Sequence, residues 1–244
     1  MTKTDSNDHC RSWYEESYSD AGFKAQRLYP NEELCRFLGR EYFLKTAKAE
    51  RNQVRILELG CGSCSNLWMI AKEGFDAYGI DLSSEGVYLG RKMLECWGVE
   101  AQLDLGTMSE LPYETNFFDV VVDVFSSYCL CEEELHRCIS EISRVLKPGG
   151  NFFSYTPGAK SDAFINPFPA NKIDDWTLDG IRREDSPYYG NFYPFRFIAP
   201  QNYKTLLEKN GFKVSYLETV SRTYNNMQEY FEFVTIVGEK NETY

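Results

Sequence analysis

The residues of this chain best placed to do chemistry are two close glycines and two carboxylates at the ends of neighbouring apolar stretches. The run Ile56-Leu57-Glu58-Leu59 leads directly into Gly60-Cys61-Gly62-Ser63-Cys64-Ser65-Asn66-Leu67. An apolar strand that breaks into closely spaced glycines and then a helix lets the backbone turn tightly and approach a ligand where that helix begins. Glu58 stands on the lip of this turn, and Gly60, Cys61, Gly62 and Asn66 make up the candidate loop. A second apolar stretch ends in Tyr78-Gly79-Ile80-Asp81. A carboxylate there can accept from both hydroxyls of a nucleotide ribose, and it repels a phosphorylated one. The competing reading of Asp81 is a helix cap before Ser83-Ser84. A dinucleotide loop wants a third glycine in G-x-G-x-x-G, and Ser65 holds that place, which weakens a nicotinamide or flavin dinucleotide reading.

Other reactive side chains are scarcer. Cys61 and Cys64 form C-x-x-C, and Cys129 and Cys131 form C-x-C. The first pair falls inside the glycine loop and the spacings differ from a paired zinc ribbon, so no metal is expected. The C-x-x-x-C-x-x-C spacing of radical iron–sulfur methylases is absent. His9 and His136 are the only histidines. His136 follows the core-facing Leu135 on a predicted helix and is expected at the surface or rim, so a general base at neutral pH is in short supply.

These residues need a scaffold that aligns strand ends. From Val54 onward, short apolar runs alternate with amphipathic stretches, the pattern of βα units on a mostly parallel sheet. Strands are predicted at 54–59, 77–80, 100–103, 120–124, 151–155, 213–217 and 231–237. After Glu132-Glu133-Glu134, the apolar set Leu135, Cys138, Ile139, Ile142 and Val145 follows the helical repeat until Lys147-Pro148-Gly149-Gly150 stops it. The expectation is an α/β, Rossmann-like, doubly wound seven-stranded sheet with an antiparallel last strand. Residues 1–50 read as an N-terminal helical segment, with Asn31 capping a helix that starts near Glu32. Residues 51–244 read as one domain. Within it, the proline- and aromatic-rich stretch 156–198 is read as an irregular cover over the ligand end of the sheet.

Composition narrows the function. The chain has 244 residues, 43% of them hydrophobic, with 17 Phe, 17 Tyr and 4 Trp, enough for a sizeable core. Its net charge of −11, from 37 acidic and 26 basic residues, argues against bulk nucleic-acid binding. No apolar run is long enough to span a bilayer, and the polar, acidic N-terminus is unlike a secretory leader, so a cytoplasmic protein with reduced thiols is expected.

Four ordered segments resemble the motifs of class I S-adenosylmethionine-dependent methyltransferases. They are Leu57-Glu58-Leu59-Gly60-Cys61-Gly62, Gly79-Ile80-Asp81-Leu82-Ser83, Leu111-Pro112-Tyr113 through Phe118-Asp119-Val120-Val121, and Glu141-Ile142-Ser143-Arg144-Val145-Leu146-Lys147-Pro148-Gly149-Gly150. The resemblance implies S-adenosylmethionine as methyl donor. Gly60 and Gly62 would then shape the floor under the methionine moiety, Glu58 would orient its ammonium, and Asp81 would hold the ribose. Leu82 and Met108 would sandwich adenine, with Thr107 near its amine, and the backbone around Phe125 and Ser126 would line the methionine tail and face the acceptor. The sequence departs from the family at Cys64, where a third glycine is common, and at Thr107, where an acid is usual.

Methyl transfer from a sulfonium is an in-line displacement served mainly by alignment and exclusion of water, so a strong base is optional. Tyr128, beside the fourth strand, is the candidate if a hydroxyl proton must be taken. Tyr14, Tyr18, Tyr29, Trp176, Arg182 and Arg196 are candidate substrate contacts, the aromatics for stacking and the arginines for a phosphate or carboxylate. Arg27-Leu28-Tyr29-Pro30-Asn31-Glu32 also resembles a segment of bacterial surface-sugar and capsule methyltransferases. The leading expectation is therefore a sugar or nucleotide-sugar hydroxyl as acceptor, followed by an amine or carboxyl metabolite. A non-catalytic cofactor-binding partner subunit is the rival from another class.

Overall fold

A computed structural model describes residues 6–242. Helix α1 (Ser6–Ala21) and helix α2 (Glu32–Leu38) precede the sheet. Asn31 begins α2, its side chain accepting from the N–H groups of Glu33 and Leu34 at 2.9 and 3.1 Å. The sheet is then laid down as β1 (Arg55–Leu59), α3 (Leu67–Lys72), β2 (Asp76–Asp81), α4 (Ser84–Trp97), β3 (Gln102–Leu105), β4 (Phe118–Val124), α5 (Glu132–Val145) and β5 (Leu146–Pro157). The cover follows, with α6 (Asp162–Ile165), β6 (Thr177–Leu178) and β7 (Phe195–Arg196). Helix α7 (Pro200–Lys209) and the hairpin of β8 (Phe212–Tyr224) and β9 (Glu229–Lys240) complete the fold.

Seven strands form one sheet in the order β3-β2-β1-β4-β5-β9-β8. Strands β1 to β5 are parallel, while β9 runs antiparallel to both β5 and β8. The order reverses between β1 and β4, which pair Ile56 with Val120 and Leu59 with Asp123. Their carboxyl ends therefore open a crevice at the switch point, where open α/β sheets bind ligands. The central strands are buried on both faces by helices, so Ile56, Leu57, Val120, Val121, Val122, Phe152 and Phe153 are wholly enclosed. Helix α5 turns Leu135, Cys138, Ile139, Ile142 and Val145 inward, as its period requires.

Three details differ from expectation. Lys147-Pro148-Gly149-Gly150 stops α5 as expected, but β5 already begins at Leu146 rather than at Asn151, with a register shift between the Phe118–Leu146 and Val120–Asn151 pairs. A bulge accommodates the proline and glycines that would otherwise break the ladder. Strands β8 and β9 run far past their apolar centres, because the half-exposed β-branched residues Thr219, Val220 and Thr223 continue the pairing on the sheet edge. The turn between them carries positive φ at Asn225, Asn226 and Met227. The cover, finally, has its own packed interior, with Leu178, Ile181, Tyr193, Phe195 and Phe197 buried against β9 and the end of β4. No helix among the described residues is long and apolar enough to cross a membrane.

Candidate functional site

At the switch point lies a cleft lined by the ends of β1, β2 and β4 and by α1. Its floor is the loop after β1. Gly60 and Gly62 take φ of +58° and +46°, the left-handed region that favours glycine. A Cβ on Gly60 would collide with the Ser126 side chain, and one on Gly62 with the Tyr18 hydroxyl. Cys64, in place of the family's third glycine, adopts the same left-handed backbone at φ +61°. Its buried Sγ uses the space left by the missing side chain of Gly90 on α4, so the loop keeps its course despite the substitution.

Glu58 sits on β1 with only 2% of its surface exposed. Its Oε1 accepts from the Asn66 side-chain amide at 2.6 Å, and its buried Oε2 has no hydrogen-bond partner. Burial pushes the Glu58 carboxyl up to about 8, against the opposing pull of the Asn66 hydrogen bond and the Arg27 charge. A buried acid with one oxygen unused is a socket for a cation.

Asp81 ends β2. Its Oδ2 accepts from the N–H of Gly62 at 2.7 Å and its Oδ1 from that of Ser83 at 2.8 Å. Burial lifts its carboxyl to about 6 against these two bonds. Each oxygen keeps a second lone pair, so two ligand hydroxyls can still be accepted. The cap of α4 is instead Ser83, whose Oγ accepts from the Gly86 N–H at 3.0 Å. Leu82, Thr107 and Met108 line the same side of the cleft.

The end of β4 is organised by Asp123, a fully buried acid that the sequence reading overlooked. Its carboxylate accepts from the N–H groups of Ser126 and Ser127 at 3.1 and 3.0 Å, from both of their hydroxyls, and from Ser154 Oγ at 2.8 Å. This holds the turn in which Phe125 has φ +58°, and it brings Ser126 Oγ to 2.8 Å from the Leu59 carbonyl. Phe125 and Ser126 thus face the cleft beside Gly60. An acid set inside the apolar run Val120-Val121-Val122-Asp123-Val124 was the available signal.

Helix α1 forms the opposite wall, with Cys10, Tyr14 and Tyr18 at helical spacing toward the cleft. Glu15 on the same helix accepts from the N–H groups of Ser84 and Glu85 at 2.6 and 3.2 Å, docking α1 on the start of α4. The Tyr14 hydroxyl lies 2.8 Å from that of Tyr128 and 3.2 Å from that of Tyr193. Tyr128 and Tyr193 are hydrogen-bonded to each other, which closes a ring of three phenols. Burial raises all three well above the usual phenol range, and Tyr128 lies behind Phe125 outside the cleft lining. Tyr128 is therefore placed as a wall support rather than as a base.

The remaining expected substrate contacts are placed elsewhere. Tyr29 is 65% exposed and packs its edge on Trp68 and Trp97. Trp176 stacks on Phe164 within the cover. Arg182 pairs with Asp179 at 3.3 Å and lies over Phe192, and the buried Arg196 pairs with Asp174 at 3.2 Å. In an acidic chain these arginines are already neutralised by local carboxylates. The cleft's cations are Arg11, which no motif flagged, and Arg27, which opens the segment resembling surface-sugar methyltransferases but was not named as a ligand contact. Among the described residues, no group of three or more His, Cys, Asp or Glu is arranged to hold a metal ion.

Residues 56–150 match the family described as a methyltransferase domain. The chain is 30% identical over 127 residues to a phthiotriol/phenolphthiotriol dimycocerosates methyltransferase of Mycobacterium leprae, covering 51% of this chain and 42% of that one. It is 32% identical over 131 residues to a fatty-acid O-methyltransferase of Mycolicibacterium smegmatis, covering 53% and 46%. The chain thus spans about half the length of the curated relatives it matches. Its fold is shared with the 1,6-didemethyltoxoflavin-N1-methyltransferase of Burkholderia thailandensis, solved with S-adenosylhomocysteine, at TM-score 0.61 and 13% identity over 99% of this chain and 92% of that one. The glycine loop, the acids near the ends of β1 and β2, the strand order and the domain match together make residues 56–150 a methyltransferase domain within a Rossmann-like fold.

Proposed function

We propose that the protein is an enzyme that methylates a small molecule at oxygen, using S-adenosylmethionine. The observation that carries this reading is Glu58, whose buried Oε2 lacks a partner, beside Asp81 with free lone pairs and a floor formed by Gly60 and Gly62. An ammonium, a ribose diol and a chain needing close backbone approach are the complementary groups, and the cofactor carries all three. Bound there, it supplies an electrophilic methyl group. The protein's part is to align the acceptor and exclude water, with α1 and Phe125 as walls.

A sugar hydroxyl, suggested by the segment around Tyr29, gains little support from a Tyr29 that packs on Trp68 and Trp97. An acceptor with an apolar body is favoured by Phe125, which stacks on Tyr188 with ring centroids 4.9 Å apart. The names of the two mycobacterial relatives, for fatty-acid and phthiotriol methylation, point the same way. Calorimetry with S-adenosylhomocysteine tests the cofactor site: Asp81→Ala should abolish binding, and retained affinity would overturn the assignment. Isotope-labelled methyl donor then separates an enzyme from a cofactor-binding partner subunit, which would bind without transfer.

A further inference from the structure

The proposed reaction leaves open how the acceptor oxygen becomes a nucleophile. The cleft's two carboxyls, Glu58 and Asp81, face the positions that reading gives to ammonium and ribose. Its phenols and thiols are Tyr14, Tyr18, Cys10, Cys61 and Cys129. Tyr14 is engaged in the ring with Tyr128 and Tyr193, Tyr18 is buried over Gly62, and the Cys129 thiol points at the Ser126 carbonyl, 3.1 Å away. His9 and His136 are both exposed and outside the cleft lining. Among the described residues the cleft lining holds no histidine and no carboxyl besides Glu58 and Asp81, so groups suited to take a proton from a neutral hydroxyl near pH 7 are scarce.

The cleft does offer positive charge. Arg27 is exposed, lines the cleft, and forms no ion pair among the described residues. Arg144, Arg182, Arg183 and Arg196 each pair with a neighbouring acid, whereas the two cleft arginines, Arg11 and Arg27, form no ion pair among the described residues, and Arg27 is the one whose charge acts on Glu58. Its charge acts on Glu58, Tyr155 and Tyr188, which lowers the pKa of all three against the effect of their burial.

We infer that the methyl acceptor is a carboxylate, already ionised at neutral pH and held by Arg27. This rests on the methyltransferase reading above. A lone pair on the carboxylate oxygen forms the new C–O bond as the methyl–sulfur bond breaks, its electron pair staying on sulfur. The product is a neutral methyl ester, and no proton has to move. A planar guanidinium suits the task because its fork pairs with both carboxylate oxygens, each of which keeps a further lone pair for transfer.

The test uses the full chain loaded with S-adenosylhomocysteine, titrated with straight-chain carboxylates from butanoate to decanoate, with benzoate and phenylacetate, and with the amide of each. Intrinsic tryptophan fluorescence reports binding, and mass spectrometry detects methyl ester when S-adenosylmethionine replaces the product. The expected result is that at least one acid binds tenfold or more tightly than its amide. Arg27→Met should remove that preference while leaving S-adenosylhomocysteine affinity within about twofold. Acids that bind no better than their amides would overturn the inference, as would an Arg27→Met variant that loses the cofactor product instead, which would assign Arg27 to the cofactor's own carboxylate. Failure of the wild-type chain to bind S-adenosylhomocysteine would overturn the underlying reading and this inference with it. Intact cofactor binding without an acid preference would overturn this inference alone.

Discussion

Asn66 donates its side-chain amide to Oε1 of Glu58 at 2.6 Å, and that bond decides which carboxyl oxygen is left for a ligand. The Asn66 carbonyl in turn accepts from the backbone N–H of Asn31 at 2.8 Å, tying the segment before α2 to the acid of β1.

The first prediction concerns pH. Burial raises Glu58 from 4.5 to about 8 in the empty protein, so near neutrality the carboxyl is largely protonated. Holding an ammonium requires it to ionise. Affinity for S-adenosylhomocysteine should therefore rise with pH up to about 8 and then level off, with proton release seen by calorimetry in buffers of different ionisation heat. Glu58→Gln should flatten this dependence and weaken binding at pH 8 about 10- to 100-fold, the value of a charged hydrogen bond.

The same group sets a stability trend of opposite sense. The folded state keeps a proton that the unfolded chain loses between 4.5 and about 8, so this contribution to stability falls as pH rises through that window. Without ligand, Glu58→Gln should melt at a higher temperature than the wild type above pH 8. Thermal scans at pH 6 and 9 would show the gap widening with pH, and an equal gap at both would contradict the assignment.

Asp123 supports a prediction of damage without ligand contact. Asp123→Ala leaves the N–H groups of Ser126 and Ser127 and the hydroxyls of Ser127 and Ser154 without their Asp123 acceptor, and should cost about 3–5 kcal/mol, the range for breaking a buried charged network. Asp123→Asn retains part of the network and should cost less. Urea unfolding measures both.

Gly90 and Cys64 should behave as a coupled pair. A Cβ at Gly90 would meet the Cys64 Sγ and the Gly62 carbonyl, so Gly90→Ala should destabilise by roughly 1–3 kcal/mol and weaken cofactor binding. Adding Cys64→Gly removes the sulfur and should restore part of both losses. A double-mutant cycle without coupling would show that the two sites are independent.

The limits of sequence reading follow from where each signal lies along the chain. Glu58 and Asp81 were legible because a carboxylate ending an apolar strand is a local pattern. The β8–β9 hairpin was underestimated because its outer half is polar and its pairing comes from the neighbouring strand. Trp176, Arg182 and Arg196 looked like ligand contacts because their residue types suit the task. Their partners Phe164, Asp179 and Asp174 are met only through the folding of the cover. Asp123 carried no motif and Arg27 was read only as part of a segment, and only the fold shows what they face.

Helix α1 carries one further consequence. It supplies a wall of the cleft and is held by Glu15 on the start of α4, by Trp13 donating to the Gly190 carbonyl and by Tyr14 in the phenol ring. If cofactor product leaves past that wall, its exit would require the helix to detach, an opening far smaller than unfolding the sheet. The pace of successive turnovers would then be kept by how often one amphipathic helix lets go, and tightening its grip would slow exchange even where chemistry is unchanged.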